Sequence, residues 1–229
     1  MMNTNVNFAA PLGVLAFLGT GFVMAVAGAF LVYSLVRRSF GHAKFTAVAM
    51  LVIGALYLGS ILVFAFAGSD KVLARGSEKH FCEIDCHLAY SITDLKSSKT
   101  IGTGSSQATA RDLFMAVTIK TRFDETTISR TRGNGVLYPN SRVLTVVDDQ
   151  ERKYSASVEG QSALELSGGA GTPLETPLRP GESYTTTVVF DLPADAGHPT
   201  LLVNEGDWIT HLIIGHENSP WHKKTRFEL

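Results

Sequence analysis

The residues best suited to chemistry lie in one short segment, His80 to Tyr90, of the 229-residue chain. It contains both cysteines, Cys82 and Cys86, and two of the seven histidines, His80 and His87. Thiolate and imidazole ligands together suit copper or zinc, whereas two cysteines in an oxidising compartment form a disulfide. The spacing therefore predicts either a metal site or a covalently closed loop.

The first hypothesis is a copper site that serves electron transfer or copper delivery to a respiratory complex. In this hypothesis the two thiolates bind the ion, and histidines complete the coordination, some from the segment and some from Gly215–His222 near the end of the chain. The candidate metal ligands are Cys82, Cys86, His80, His87, His216 and His222.

The alternative hypothesis is a Cys82–Cys86 disulfide in a non-catalytic structural or interaction module that needs no cofactor. Covalent haem is a third hypothesis, because Cys82-x-x-x-Cys86-His87 is similar to the usual Cys-x-x-Cys-His attachment signal. It is one residue longer than that signal. Zinc and a free redox pair also stay open.

No complete catalytic motif accompanies the cysteines. The sequence has no Gly-x-Ser-x-Gly elbow and no His-Glu-x-x-His motif. The glycine-rich run Gly168–Gly171 lacks the Lys-Ser/Thr that follows in a phosphate-binding loop. We therefore expect a protein that is not an enzyme.

Two long apolar runs precede the cysteines, and neither contains a charged residue. About 20 apolar residues cross a bilayer as a helix. We therefore predict transmembrane helices over 11–36 and 45–67, with a short tail at 1–10 and a loop at 37–44. A secretory signal peptide is the alternative for the first run, but the leader has no positive charge and the run is longer than usual.

The charges beside these runs predict the orientation. Arg37, Arg38 and Lys44 lie between the runs, and basic residues in short loops stay in the cytoplasm. Both termini are then extracytoplasmic, in the periplasm or at the surface of a bacterial cytoplasmic membrane, although Lys71, Arg75 and Lys79 beyond the second run weaken the asymmetry. From Glu78 onward the chain has 15 Lys and Arg against 20 Asp and Glu, which argues against nucleic acid as a partner. The expected partners are the membrane itself and a respiratory or other membrane protein complex.

After a linker at 68–79, the pattern from 80 to 229 is that of short strands. Leu113 to Phe123 alternates apolar and polar residues, which is typical of a half-buried strand. We expect a polar loop or an irregular edge at 96–110, a hairpin turn at 148–152 and no amphipathic helix of three turns. Further strands are predicted at 87–93, 143–147, 153–158, 184–192, 201–203 and 208–214, the last of which places His211 on a strand face with Ile209 and Ile213. Such strands predict an all-β, immunoglobulin-like β-sandwich after an N-terminal transmembrane α-hairpin.

Several of these strands and turns resemble the telokin-like immunoglobulin-fold domains of bacterial cell-surface proteins, over about Asp112 to Gly215. The residues that carry the resemblance are Phe114–Lys120, Leu137–Asn140, Val146–Tyr154, Leu178–Ser183 and Val188–Pro193. The resemblance implies an immunoglobulin fold and no shared catalytic residues.

The architecture as a whole is loosely similar to the second subunit of cytochrome c oxidase. That family has two transmembrane helices and a β-sandwich whose Cys-x-x-x-Cys pair helps to hold copper. Its cysteine pair lies late in the domain, with ligands close downstream. Here the pair comes first, and Leu88 to Ser91 supply none of those ligands.

Overall fold

The computed structural model describes residues 2–82, 86–127 and 132–229. The chain divides into two units. The β unit comprises the residues up to Asn5, Asp70–Asp207 and Lys224–Leu229, and the helical unit comprises Val6–Ser69 and Trp208–Lys223. We call Trp208–Lys223 the return segment, because the chain leaves the β unit to form it and then re-enters that unit.

The helical unit contains two long helices, α1 (Ala10–Val36) and α2 (Phe40–Ala67). Both are long and apolar enough to cross a membrane. Large apolar side chains point outward along them, as Phe22 at 70% and Leu51 at 74% exposure illustrate. Such surfaces are too apolar for contact with water and suit a lipid environment.

The second helix begins earlier than the sequence predicts. We expected a loop over 37–44, but α2 starts at Phe40, so only Arg37, Arg38 and Ser39 separate the two helices. The basic residue Lys44 therefore lies in the first turns of α2 and not in a loop.

In its described part the β unit contains ten strands and one α-helix. These elements are β1 (Asn3–Thr4), β2 (Lys71–Leu73), β3 (Lys79–Phe81), β4 (Leu88–Ile101), β5 (Ala108–Phe123), β6 (Arg142–Val147), β7 (Lys153–Tyr154), α3 (Val158–Leu166), β8 (Ser183–Leu192), β9 (Thr200–Glu205) and β10 (Thr225–Glu228). One sheet has the order β1-β3-β4-β5-β8 and the other β2-β10-β9-β6-β7.

The two sheets share a single apolar core. Phe81 and Phe190 from the first sheet belong to the same buried cluster as Val146 and Phe227 from the second. Sheets that bury their inner faces against each other form a sandwich-like arrangement. The predicted mostly β domain is thereby confirmed at the level of two packed sheets.

The clearest predicted strand lies within β5. Val117, Ile119 and Phe123 are fully buried, in agreement with the alternation in the sequence. The hairpin prediction at 148–152 is also confirmed, because β6 and β7 pair antiparallel on either side of it. Asp148 fixes that turn by accepting hydrogen bonds from the backbone N–H of Gln150 and of Arg152, both at 2.9 Å.

The stretch 96–110, predicted as a loop or an irregular edge, is mostly strand, with a register shift between Ser98 and Thr100. β4 continues to Ile101 and pairs with β5, with Ser97 opposite Met115 and Ser98 opposite Phe114. Main-chain hydrogen bonds hold this extension whatever the polarity of the side chains. A run of Ser, Thr and Lys in a strand exposed to solvent therefore resembles a loop in the sequence.

The strand predicted at 153–158 is wrong in its second half, where the short helix α3 begins. Ser157 caps this helix, since its Oγ accepts a hydrogen bond from the Gly160 N–H at 3.2 Å. A serine before the helix start is a capping signal that we did not use. The helix packs its Gly160 face on Phe114 and Val189 of the first sheet.

The strand predicted at 208–214 does not form. Trp208–Leu212 is a 3-10 helix of the helical unit, and His211 lies in it with Nδ1 3.0 Å from the Trp208 carbonyl oxygen. A short, almost continuous apolar run does not distinguish a strand from a helical turn.

We predict that Gly160→Ala destabilises the β unit. A Cβ at this position would lie 2.7 Å from Val189 Cγ1 and 3.0 Å from Phe114 Cε1, so core side chains would have to move. Overpacking of this kind costs about 1–3 kcal/mol, which would exceed the gain of about 1 kcal/mol that alanine normally brings to a helix. Chemical unfolding of the full chain in detergent measures the change.

Gly135→Ala is the control, because a Cβ there meets no atom within 4 Å. Equal stability of the two variants would show that α3 does not pack tightly on the sheet.

Candidate functional site around the Cys82–Cys86 disulfide

The two cysteines are joined by a disulfide. They close the connection between β3 and β4, which pair antiparallel from Phe81 opposite Leu88 outward. Cys82 is 1% exposed, whereas Cys86 is half-buried. Glu83, Ile84 and Asp85, between the two cysteines, lie outside the described residues.

A chain of polar contacts connects this loop to the interior of the β unit. The Cys82 N–H donates to Asn5 Oδ1 at 2.8 Å, and Asn5 Nδ2 donates to Glu205 Oε1 at 3.0 Å. Asn5 follows β1, which pairs parallel with β3. The N-terminal tail thus holds the first half of the cysteine loop against β9.

Two buried cations lie close to one aromatic ring. Lys79 Nζ is 5.0 Å and the Arg142 guanidinium carbon 4.4 Å from the centre of the Phe81 ring. Lys79 is fully buried and donates to the carbonyl oxygens of Val203 at 3.1 Å and Thr225 at 3.0 Å, both in the opposite sheet. Such contacts compensate the large cost of removing an ammonium group from water.

Arg142 completes the buried network. Its Nε donates to the Tyr90 hydroxyl at 3.2 Å, and its Nη1 lies 3.8 Å from Glu205 Oε1. Burial raises the pKa of Tyr90, although the adjacent Arg142 charge opposes that shift. Tyr90 therefore stays a neutral phenol at neutral pH.

On β3 the side chain between Lys79 and Phe81 belongs to a different group. His80 Nε2 lies 2.9 Å from Asp124 Oδ2, and both residues are buried. The pair resembles the orienting half of a catalytic triad. The Nδ1 atom of His80 is buried without a hydrogen-bond partner among the described residues.

Asp124 is held as a carboxylate. Burial would raise its pKa, but hydrogen bonds from Thr126, His80 and Arg122 outweigh that effect and hold the pKa well below its usual value. Arg122 also forms a two-pronged ion pair with Glu78, at 2.8 Å from Nε and 2.7 Å from Nη2. The hydrogen bond from Arg122 lowers the pKa of Glu78 in turn.

The second local histidine has its own partners. His87 Nδ1 contacts Thr127 Oγ1, and its ring stacks on Phe123 with centroids 5.2 Å apart. Of the predicted ligands, the structure therefore joins the two sulfurs to each other. His80 contacts the Asp124 carboxylate, and His87 contacts Thr127, whose hydroxyl donates to the Asp124 carbonyl oxygen.

The two distant candidate ligands, His216 and His222, belong to the return segment of the helical unit. His216 Nδ1 accepts a hydrogen bond from the Asn218 N–H at 3.0 Å. His222 Nδ1 lies 2.7 Å from the Lys223 carbonyl oxygen and donates to it. That they join the cysteines in one site stays a prediction.

Among the described residues, no three His, Cys, Asp or Glu side chains are grouped to hold a metal ion. The structure therefore gives the copper hypothesis no support, and the disulfide hypothesis fits the bonded sulfurs.

Sequence reasoning missed the residues that surround the disulfide. Asn5 and Glu205 are 200 positions apart, Lys79 and Thr225 are 146 apart, and His80 and Asp124 are 44 apart. No local pattern indicates such pairs. A charged residue such as Lys79 at an apolar position beside Phe81 was the one available signal.

No protein-family model matches the sequence, and no curated protein matches it. Three solved bacterial proteins show distant likeness. A conserved hypothetical protein from Bacillus anthracis is 16% identical over 52% of this chain and 82% of its own, with a TM-score of 0.38. MPT63, a secreted protein from Mycobacterium tuberculosis, is 14% identical over 70% and 100%, with a TM-score of 0.40. The yjhA protein from Bacillus subtilis is 11% identical over 70% and 99%, with a TM-score of 0.41. At these scores the likeness carries no argument about this chain.

We predict that Asp124→Asn lowers the free energy of unfolding by about 1–3 kcal/mol at pH 7, because it weakens hydrogen bonds to His80 and Arg122. The folded-state pKa of Asp124 is depressed, so its carboxylate stabilises the fold above the unfolded pKa of about 4 and loses this effect as the pH falls. The stability difference between wild type and variant should therefore shrink below about pH 4. Unfolding curves from pH 7 to 3 measure it.

Asp112→Asn serves as the matched control. This exposed carboxylate accepts a hydrogen bond from the Ala194 N–H at 3.2 Å, a role that an amide oxygen can keep. A constant difference for Asp124→Asn across this pH range would contradict the assigned ionisation.

Proposed function

We propose that this protein is a membrane-anchored, extracytoplasmic structural or interaction module without catalytic activity. The observation that carries the proposal is the Cys82–Cys86 disulfide in a chain that also presents two exposed apolar helices. A disulfide persists in an oxidising compartment and is rare in the cytoplasm. The β unit then functions outside the membrane that the helices span.

The turn Arg37–Ser39 between α1 and α2, which we call the basic turn, supports the same orientation independently. Arg37 and Arg38 lie between α1 and α2, with Lys44 near the start of α2, and such residues are retained in the cytoplasm. Two spanning helices joined by a short turn begin and end on the same side of a membrane, so the tail before α1 and the chain after α2 both lie on the side opposite this turn. The basic residues place the turn in the cytoplasm, and the disulfide places the β unit outside it, so the two arguments give the same orientation.

For the β unit we propose an immunoglobulin-like sandwich, as the resemblance to telokin-like domains implies. Two mostly antiparallel five-stranded sheets with a common core support this assignment. Domains of this kind often act as docking surfaces. We propose a membrane protein or membrane protein complex as the partner class, because the helices restrict encounters to the membrane plane.

The similarity to the oxidase subunit extends to the architecture alone in this proposal. Its copper chemistry requires two free sulfurs and further ligands, whereas Cys82 and Cys86 are bonded to each other. Histidines 80 and 87 are engaged with Asp124 and Thr127. Copper binding by this chain would therefore contradict the proposal.

We predict that the full chain, purified in detergent without reductant, contains no reactive thiol and no stoichiometric copper. Reduction should cost the β unit at most about 2 kcal/mol, because the disulfide closes a loop with a sequence separation of only 4. Thiol titration before and after denaturation, metal analysis and unfolding curves measure these properties.

The double variant Cys82→Ser/Cys86→Ser is the control and should match the reduced protein in stability. Copper present at one equivalent in the wild type and lost in this variant would overturn the proposal in favour of the metal hypothesis.

Orientation is tested by single cysteines in a bacterial host. Tyr138 of the β unit is 72% exposed. A cysteine introduced there by Tyr138→Cys should react with a membrane-impermeant maleimide on intact cells. Gly41→Cys, where a Cβ meets no atom within 4 Å, should react only after permeabilisation. The native cysteines are bonded and give no background. The reverse pattern would show that the β unit is cytoplasmic.

A further inference from the structure

The return segment carries both tryptophans of the chain, and both are exposed. Trp208 is 68% and Trp221 is 72% exposed, and Ile209 beside Trp208 is 36% exposed. Large apolar side chains at such exposure require an explanation when they are grouped on one short segment.

The segment is fixed to the two helices by specific contacts. The Tyr57 hydroxyl of α2 donates to the Leu212 carbonyl oxygen at 2.6 Å. A Cβ on Gly13 of α1 would lie 3.0 Å from the Ile214 carbonyl oxygen and 3.2 Å from Ile213 Cγ2. The glycine therefore allows the return segment to approach the first turns of α1 closely.

These contacts give the segment a depth along the helices. Tyr57 lies about 26 Å along α2 from its start at Phe40, and Gly13 lies about 35 Å along α1 from its end at Val36, at a rise of 1.5 Å per residue. Both distances start at the basic turn. Since a hydrocarbon layer is about 30 Å thick, its far boundary falls between these two levels.

The polarity of the segment is also inverted relative to a loop in water. Its polar side chains are buried, and the exposed ones are mostly aromatic, apolar or cationic. The buried polar residues are Thr210, His216, Glu217, Asn218, Ser219 and His222. The exposed residues are Trp208, Ile209, His211, Pro220, Trp221 and Lys223.

Local hydrogen bonds make this inversion compatible with lipid. Successive turns run from the His216 N–H to Ile213 O, from Ser219 to His216 and from His222 to Ser219, at 2.9–3.2 Å. Asn218 Nδ2 donates to Thr210 Oγ1 at 2.8 Å. Polar groups that are paired internally can lie in the interfacial region of a bilayer without a large cost.

We propose that the return segment is an interfacial membrane element, whose tryptophans contact the headgroup and glycerol layer at the end of the helices remote from the basic turn. Tryptophan and lysine are enriched at this depth, because the ring is amphipathic and the ammonium group reaches the headgroups. The proposal rests on the membrane-spanning role of α1 and α2 proposed above. The segment sets how deeply α1 and α2 lie in the bilayer and provides a lipid contact at that boundary.

The two native tryptophans allow a direct test with the full chain in phosphatidylcholine vesicles. Trp208→Phe and Trp221→Phe each leave one emitter. Lipids brominated near the glycerol end of the acyl chain should reduce the emission of each variant at least about twofold, since interfacial rings lie at that depth. Aqueous iodide should quench each one much less than it quenches Tyr138→Trp in a Trp208→Phe/Trp221→Phe background.

Two outcomes would overturn the inference. Iodide quenching equal to that of the Tyr138→Trp reference, without an effect of brominated lipid, would place both rings in water. Protection from iodide without quenching by lipid would show that a second copy of the chain covers the segment. Carbonate extraction of the same vesicles separates this inference from the proposed function: a chain that is extracted contradicts the membrane anchor itself, whereas a retained chain with aqueous tryptophans contradicts only the interfacial role.

Discussion

The burial of positive charge between the two sheets is the constraint on which the β unit depends. Lys79 and Arg142 lie inside the protein, where an unpaired charge costs several kcal/mol. Lys79 finds two carbonyl oxygens in β9 and β10, and Arg142 finds Tyr90 and Glu205. The contacts of Lys79 and the Arg142–Tyr90 hydrogen bond join one sheet to the other, whereas Glu205 lies opposite Arg142 within the second sheet. The register between the sheets is therefore fixed by hydrogen-bond geometry as well as by the non-directional apolar core.

The disulfide is an extension of this constraint. β3 places Lys79 and Phe81 toward the core and His80 toward Asp124, and the cysteine loop begins at the next residue. Asn5 binds both the Cys82 N–H and Glu205, so the loop, the N-terminal tail and the buried cations form one connected group. A short disulfide stabilises little by chain entropy alone. The disulfide also closes the connection that follows β3, next to the buried charges and their hydrogen-bond partners.

The sequence predicted those features that depend on polarity over consecutive residues. The apolar runs predicted two long helices, and alternation predicted the buried face of β5 through Val117 and Ile119. It left open a loop or an irregular edge where main-chain bonds override side-chain polarity, as in the Ser97 region of β4. It was wrong where a continuous apolar run adopts turns, as at Trp208. The cysteine spacing allowed both a metal site and a disulfide. The surrounding ion pairs join residues tens to hundreds of positions apart, and no periodicity encodes them.

The β unit cannot be obtained intact by removing the residues before it. The β unit is not one stretch: its tail strand precedes α1, and the return segment interrupts it between Asp207 and Lys224. A fragment that begins at Glu78 would lose Asn5, the shared partner of Cys82 and Glu205. It would also leave the Leu212 carbonyl without the Tyr57 hydroxyl. The short tail before α1 is therefore part of the interior of the β unit, and a fragment that begins after α2 lacks it.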